Sequence, residues 1–541
     1  MILENKYRQN KIVKNSNLKF IISGFFVVWC LLFGISDKAS AATEFVSIID
    51  PDSGAGTDFS SLSAWENTVD SDLTAATSQV FSGTRTGTMT DTTTVYLCRG
   101  GAYQSHYGTL THASSTQAYI ISITGSATEA SGDIWYTNNT CNSATYFTIS
   151  DGGDSAIAVA SCRSSSGTAD TTAFTIDGWT TSAINYVKIW ADPSLGGRHD
   201  GKWNSQRYRL EASGTAAITV EEENVRIDGL QIQVTASSGS GLSGIYRNGP
   251  MSGVAFYFSN NILKGSLTGT ARTTNGMVVE AGSGSIYVWN NIVYGWKNGI
   301  YTDIGAFYAR DGDVYFYNNT AYDSYLGFNS GKNRTIAKNN IAQDCNDGFS
   351  GTFDASSDYN ISDLASDAPG ANSKNSTAVS FVDETNKDFH LSSSDTAAKN
   401  AGASNPGSGL FSDDIDGSTR NGNGEGWDIG ADEIATQIYR SAAPSATAAL
   451  DNDNSHADTL TIGSGTATFE VVVADNVGVG DVLVVDTGGT DQTIDSADTL
   501  LFIHGRTSET VFTVKTHTGA TPSTSTTDND TWVIYRAHTS L

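Results

Sequence analysis

Asparagine pairs recur through the middle of the chain, at Asn260-Asn261, Asn290-Asn291, Asn318-Asn319 and Asn339-Asn340, with Tyr359-Asn360 as a fifth signature. The second member of each advances by 30, 28, 21 and 20 residues. Short apolar and aromatic runs precede them: Ala255-Phe-Tyr-Phe258, Ile286-Tyr-Val-Trp289 and Val314-Tyr-Phe-Tyr317. A fixed turn between short strands, repeated every ~20–30 residues, is the signature of a solenoid. Asparagine tolerates the left-handed backbone such a turn needs, and stacked asparagine side chains can hydrogen-bond from one coil to the next.

A second period runs in phase with the first. Gly244-Ile245, Gly276-Met277, Gly299-Ile300, Gly327-Phe328 and Gly348-Phe349 each open a short strand, 11 to 19 residues before an asparagine signature. One glycine-led strand and one asparagine turn per unit predict coils of two or three strands. Stacked in parallel, they bury one apolar position of every strand in a continuous core. No run of 10–15 residues carries a convincing 3.6 period, so the solenoid is read as all-β. The 55 Gly, 22 Tyr and 22 Phe against 7 Pro in 541 residues suit many short strands and turns.

The first 41 residues read as a secretory signal. Lys6, Arg8, Lys11, Lys14 and Lys19 precede the apolar run from Phe20 to Ile35, and Ala39-Ser40-Ala41 supplies small residues for cleavage. That run is short for a membrane span, so no membrane insertion is expected after cleavage. The formal charge is −27, and the signal itself holds six cations against two acids, so the mature chain is more acidic still. Such a surface repels nucleic acid and anionic membranes. Cys98, Cys141, Cys162 and Cys345 fit no zinc pattern; one disulfide among the first three is compatible with their positions, with no pairing specified.

Residues 42–435 are assigned to the solenoid, with an N-terminal cap and an acidic closing segment. Thr93–Leu97, Ala118–Ile123 and Tyr186–Trp190 are strand-like, and Phe174–Gly178 and Val225–Gly229 read as early coils. Residues 436–454, with Ser441-Ala-Ala-Pro-Ser-Ala-Thr-Ala-Ala449, read as a linker. Residues 455–541 hold five strand candidates and read as a small sandwich- or barrel-like domain.

These coil units resemble the right-handed parallel β-helix proteins of the pectate-lyase-like superfold. Ile48-Ile-Asp-Pro-Asp52, Asp58–Trp65, Asp414-Ile-Asp-Gly417, Arg420 and Asp428-Ile-Gly-Ala-Asp-Glu433 look like the flanks of secreted bacterial members. The C-terminal domain is similar to modules of large bacterial surface proteins. The resemblance implies a groove along the glycine-led strands and covers lyases, hydrolases and non-catalytic adhesins alike.

Strand alternation places the residue after each glycine inside and the next one outside. The outer columns then read Tyr246, Val278, Tyr301, Asn329, Ser350 and Asn248, Glu280, Asp303, Gly331, Thr352. Tyr246, Tyr301 and Asn329 are candidate sugar contacts. Glu280 and Asp303, placed ~5 Å apart on adjacent coils, are a candidate Ca²⁺ site or acid/base pair. The superfold's lyases use Ca²⁺ to neutralise a uronate while Lys or Arg abstracts a proton, which makes Lys332, Arg334, Lys297 and Arg310 the candidate bases. No lyase signature can be matched residue by residue.

Weaker patterns stand beside these. Arg198 to Arg209 is a basic patch read as a capping loop. Ser412-Asp-Asp-Ile-Asp-Gly417 echoes a Ca²⁺ loop but has Ser412 and Asn423 where Asp and Glu are expected, and is read as a structural turn. His106, His112, His199 and His390 lack metal-ligand spacing. The sequence thus points to a secreted or cell-surface β-helix protein directed at extracellular polysaccharide. Two forms remain open: a Ca²⁺-dependent lyase (or a glycoside hydrolase), and a non-catalytic adhesin whose C-terminal domain meets cell-surface components.

Overall fold

A computed structural model describes residues 42–247, 255–272, 275–420, 426–434, 450–452, 459–474, 476–486, 499–516, 520–522 and 531–536. The signal segment 1–41 and most of the linker lie outside the described residues. Two compact units divide between Ile434 and Ala435.

The first unit is nearly all β and is built from three parallel ladders. The first ladder runs through Thr43–Ile49, Ala156–Cys162, Val187–Ala191, Val225–Asp228, Ala255–Ser259, the C-terminal halves of Asn275–Trp289 and Gly305–Tyr317, and Thr335–Lys338. The second joins Phe174–Ile176, Ile218–Val220, Ser243–Arg247, the N-terminal halves of the same two long strands, Leu326–Ser330 and Asp347–Gly351. The third joins Arg209–Ser213, Gln231–Ala236, Ile262–Leu267, Ile292–Tyr294, Thr320–Tyr322, Ile341–Gln343 and Ile361–Ser362. The chain visits first, third and second ladder in turn, which is compatible with a parallel β-helix.

Each ladder sends alternate side chains inward, in columns that run from strand to strand. Ile189, Ile227, Phe258, Val288, Phe316 and Ala337 align in the first. Ile218, Ile245, Met277, Phe307, Phe328 and Phe349 align in the second. There Phe307 stacks on Phe328 at 4.7 Å, and Phe328 on Phe349 at 5.0 Å. The inward residues are buried and form one apolar cluster.

The asparagine pairs sit at the corner between the first and third ladders, and their two members do different work. Asn260, Asn290, Asn318 and Asn339 have φ between 51° and 58°, as does Tyr359 at 57°. The second members are fully buried and bond up the stack. Asn291 Oδ1 accepts from the backbone N–H and the side-chain amide of Asn261, at 2.9 and 3.0 Å. Asn319 does the same for Asn291, Asn340 for Asn319, and Asn360 for Asn340. The side-chain N–H groups also bond strand-end carbonyls, as Asn291 does to Phe258 and Trp289. Every corner therefore has its backbone polar groups satisfied out of water.

The first members serve as docking points for the closing segment. The Asn290 amide donates to Asp413 O, Asn318 to Asp428 O and Gly430 O, and Asn339 to Ala403 O. Arg420 is buried beside them, paired with Glu433 at 3.1 Å and donating to Asn290 Oδ1 at 2.8 Å. Phe381, Phe389, Leu391, Ile415, Ile429 and Ala431 then cover the outer apolar side of the third ladder, including Ile262, Ile292 and Ile341.

One part of the sequence reading is corrected here. Gly299-Ile300 opens no strand: Ile300 is 59% exposed, in a loop held by Asn298 Oδ1, which accepts from the Ile300 and Tyr301 N–H groups. The rung in that coil is Gly305–Tyr317, and Phe307 takes the inward place that was assigned to Ile300. The longer loop after Tyr294 leaves Gly299 in the loop, ahead of the strand, and Ala306 takes the register place of Gly276.

The N-terminal cap has two parts. Gln79–Thr86, Thr94–Arg99, Ala102–Ala113, Gln117–Thr124, Ile134–Tyr136 and Tyr146–Ile149 close an antiparallel barrel with its own core, inserted between the first two strands of the first ladder. A Cys98–Cys141 disulfide crosses it. The helix Leu62–Val69 packs against Phe174–Ile176 at the end of the second ladder, with Ser61 capping its N-terminus and Trp65 fully buried. Glu66 on this helix accepts from Trp179 Nε1 and the Asp177 N–H. Burial, together with the charges of Asp70 and Asp177, pushes its carboxyl up to about 7.

The second unit is an antiparallel sheet of seven strands, in the order Asp451–Asn452, Thr531–Tyr535, Val482–Asp486, Thr499–Arg506, Val511–Lys515, Thr466–Phe469 and Leu460–Gly463. Five match the strand candidates; the two at the edges were not foreseen. Asp451–Asn452 belongs to this sheet rather than to a linker. Among the described residues the pairing follows one path.

Asn291→Ala strands the Asn261 N–H and two strand-end carbonyls in the core, so a loss of about 3 kcal/mol is expected in chemical unfolding. Glu66→Gln reports on the cap. A carboxyl raised above its ordinary 4.5 lets the folded state hold a proton the unfolded chain has released, so wild-type stability falls as pH rises from about 4.5 through about 7. The Gln variant keeps both accepted bonds without a charge. It should exceed wild type by roughly 1–2 kcal/mol at pH 8 and match it near pH 4, read by denaturant unfolding at both pH values.

Candidate functional site

The second ladder carries part of the expected column. Tyr246, Val278, Tyr308, Asn329 and Ser350 are in register, so Tyr246 and Asn329 share a face, with Tyr308 in the place assigned to Tyr301. Tyr301 instead packs against the core from the loop, with the Arg272 guanidinium 5.3 Å from its ring.

The carboxylate pair is also rearranged. Glu280 lies opposite Asp311, not Asp303, which is exposed in the displaced loop. Arg310 reaches Glu280 at 3.3 Å. Arg334 pairs with Asp313 at 2.6 Å, and Lys297 pairs with Asp323. Hydrogen bonds to those acids hold the Arg334 and Lys297 pKa values above normal. A general base must shed its proton near the working pH, and these two are driven the other way. Lys332 is exposed in the turn after Ser330.

The outer side of the first ladder presents a different constellation. Lys188, Arg226, Tyr257, Tyr287, Tyr315 and Ile336 are in register on successive strands. Tyr257 stacks on Tyr287 at 5.6 Å and 11°, and Tyr287 on Tyr315 at 4.7 Å and 10°. The Arg226 guanidinium lies 3.6 Å from the Tyr186 ring centroid and 5.2 Å from that of Tyr257. The strand spacing of ~4.8 Å sets these ring separations, and cation–π attraction adds to them.

A cleft of about 510 Å³ opens over this column. Arg226, Tyr257 and Tyr287 line it, together with Tyr186, Glu223 and Ser285. The half-buried tyrosines spend their faces on one another. On the far side Phe411 stacks on Trp289 at 5.8 Å and joins Trp427 against Tyr317, which fixes the next column over. The result is a rigid row of phenols, a clamped guanidinium and a carboxylate, suited to a ligand rich in hydroxyl groups.

Sequence reasoning missed this row although its signal was present. Tyr257, Tyr287 and Tyr315 each stand three residues before the first asparagine of a corner pair, so the asparagine phase itself puts them in one column. The glycine-led phase drew the reading to the other ladder.

No family model, curated protein or solved structure matches this chain. The reading of its function therefore rests on its own geometry. Among the described residues no helix is long and apolar enough to cross a membrane.

Proposed function

We propose that the chain is a secreted right-handed parallel β-helix protein, of the pectate-lyase-like kind, that binds extracellular polysaccharide in the cleft of its first ladder. The observation that carries this reading is the aligned row Arg226, Tyr257 and Tyr287 lining an open cleft that Glu223 also lines, with Tyr315 stacked next in the row. A glycan chain lying along the ladder would meet Arg226 and then the phenols of Tyr257 and Tyr287 on successive rungs, spaced as the strands are spaced. Arg226 and Glu223 add a charged donor and a charged acceptor for its hydroxyls. The Cys98–Cys141 disulfide supports an oxidising, extracellular setting. The net charge of −27 supports a partner that is neither nucleic acid nor an anionic membrane.

Binding without catalysis is the form favoured. Arg310, Arg334 and Lys297, three of the four cations considered as bases, are engaged by acids. A glycan array probed with the mature chain should show saturable binding. Tyr257→Ala combined with Tyr287→Ala should weaken it by about tenfold or more, while a Tyr246→Ala change leaves it intact. Equal binding by wild type and the double variant would refute the cleft. Formation of unsaturated uronate product that requires Ca²⁺ and is lost in Glu280→Ala would establish the lyase form instead.

A further inference from the structure

His390, Asp416 and Asp432 are 26 and 16 residues apart in sequence, and the closing segment brings them together. One ligand atom from each lies within 4.8 Å of the other two. His390 comes from the strand Asp388–Leu391, Asp416 from the turn after Ile415, and Asp432 from the final segment against the third ladder. His390 Nδ1 donates to Asp388 Oδ1, which turns Nε2 towards the two acids. Nε2 stands 3.9 Å from Asp416 Oδ2, beyond hydrogen-bond range. Two metal–ligand bonds of ~2.0–2.2 Å bridge that gap at an obtuse angle.

The acids are already positioned. Asp432 is buried, with Oδ2 accepting the Leu391 N–H at 2.7 Å, and Asp416 Oδ1 accepts the Ser418 N–H at 3.0 Å. Of the neighbouring cations, Arg198 is paired with Asp228 at 3.3 Å, and Lys202 with Asp388 Oδ2 at 3.2 Å, behind the histidine. His199 is spoken for as well, since one ring nitrogen bonds Asn260 O and the other accepts the Gly201 N–H. Gly201 leaves room for the imidazole, because a Cβ there would fall 2.2 Å from His390 Nε2.

The geometry points to a divalent transition-metal site of the zinc class formed by His390, Asp416 and Asp432, with Asp388 orienting the histidine from behind. One imidazole nitrogen and two carboxylate oxygens, with a position open to water, form a mixed donor set that suits Zn²⁺. Ca²⁺ takes oxygen ligands and gains little from the imidazole. The carboxylate–imidazole pair matches the outer-shell arrangement that fixes tautomer and ring orientation at histidine sites. Bound there, the ion joins three pieces of the closing segment to one another.

Calorimetric titration of ZnCl₂ into the full mature chain, stripped with EDTA and free of any affinity tag, tests this. One saturable site per chain is expected, with unfolding temperature raised by Zn²⁺ and not by Ca²⁺. His390→Gln and Asp416→Asn should each weaken Zn²⁺ binding more than tenfold, and Asp388→Asn by ~10–100-fold. Asp416 is exposed, so its variant keeps the fold if His390→Gln does not. Unchanged Zn²⁺ affinity in Asp416→Asn, absence of saturable binding, or Ca²⁺ binding at the same residues would each overturn the assignment.

Discussion

The buried amide-to-amide chain through Asn261, Asn291, Asn319, Asn340 and Asn360 is the interaction on which the first unit depends. Where a strand turns a corner inside a solenoid, its backbone groups lose both ladder partners and water. An asparagine offers an acceptor and two donors on a short stem, which is enough to satisfy its own corner and the one beside it. Leaving one such group unmade costs about 1–3 kcal/mol, and the ladder repeats it at every coil. The coils are thereby locked in register along the axis, so side chains at one phase of the repeat must align.

That alignment has consequences on both sides of the corner. Inward, it stacks phenylalanines into a close-packed column. Outward, it raises the tyrosine row beside the cleft and sets the left-handed asparagines in a line that the closing segment reads. Arg420 and Glu433 complete that dock as a buried pair with the guanidinium also bonded to carbonyls. A buried charge pair is stable only with such additional bonds, which ties the final acidic segment to one position on the coils.

The closing segment also decides which surfaces stay open. It covers the apolar outer side of the third ladder and the Trp289–Tyr317 column, while Arg226, Tyr257 and Tyr287 line a cleft. The buried acids concentrate in the same segment and at the N-terminal helix, where desolvation raises Asp414 to about 9 and Glu66 to about 7. Raised carboxyls thus sit in the closing segment and at the N-terminal helix, while neutral amides hold the corners of the coils.

Much of the first unit was legible because its repeat is chemical as well as geometric. Asn-Asn, Phe-Tyr-Phe and the apolar runs declare parallel strands, the corner and the inward column from residue types alone. The barrel at Gln79–Ile149 was not separable, since antiparallel and parallel strands share the same alternation. The candidate pair Glu280 and Asp303 failed for a physical reason: one loop of different length shifts register, and a shift in one coil moves every outward residue of that coil. The sequence by itself determined the strand content, the corner chemistry and the acidity. Only the tertiary structure decided that Glu280 faces Asp311, that the tyrosines before the corners line a cleft, and that His390, Asp416 and Asp432 converge, because each depends on contacts between segments whose separation in the chain carries no period.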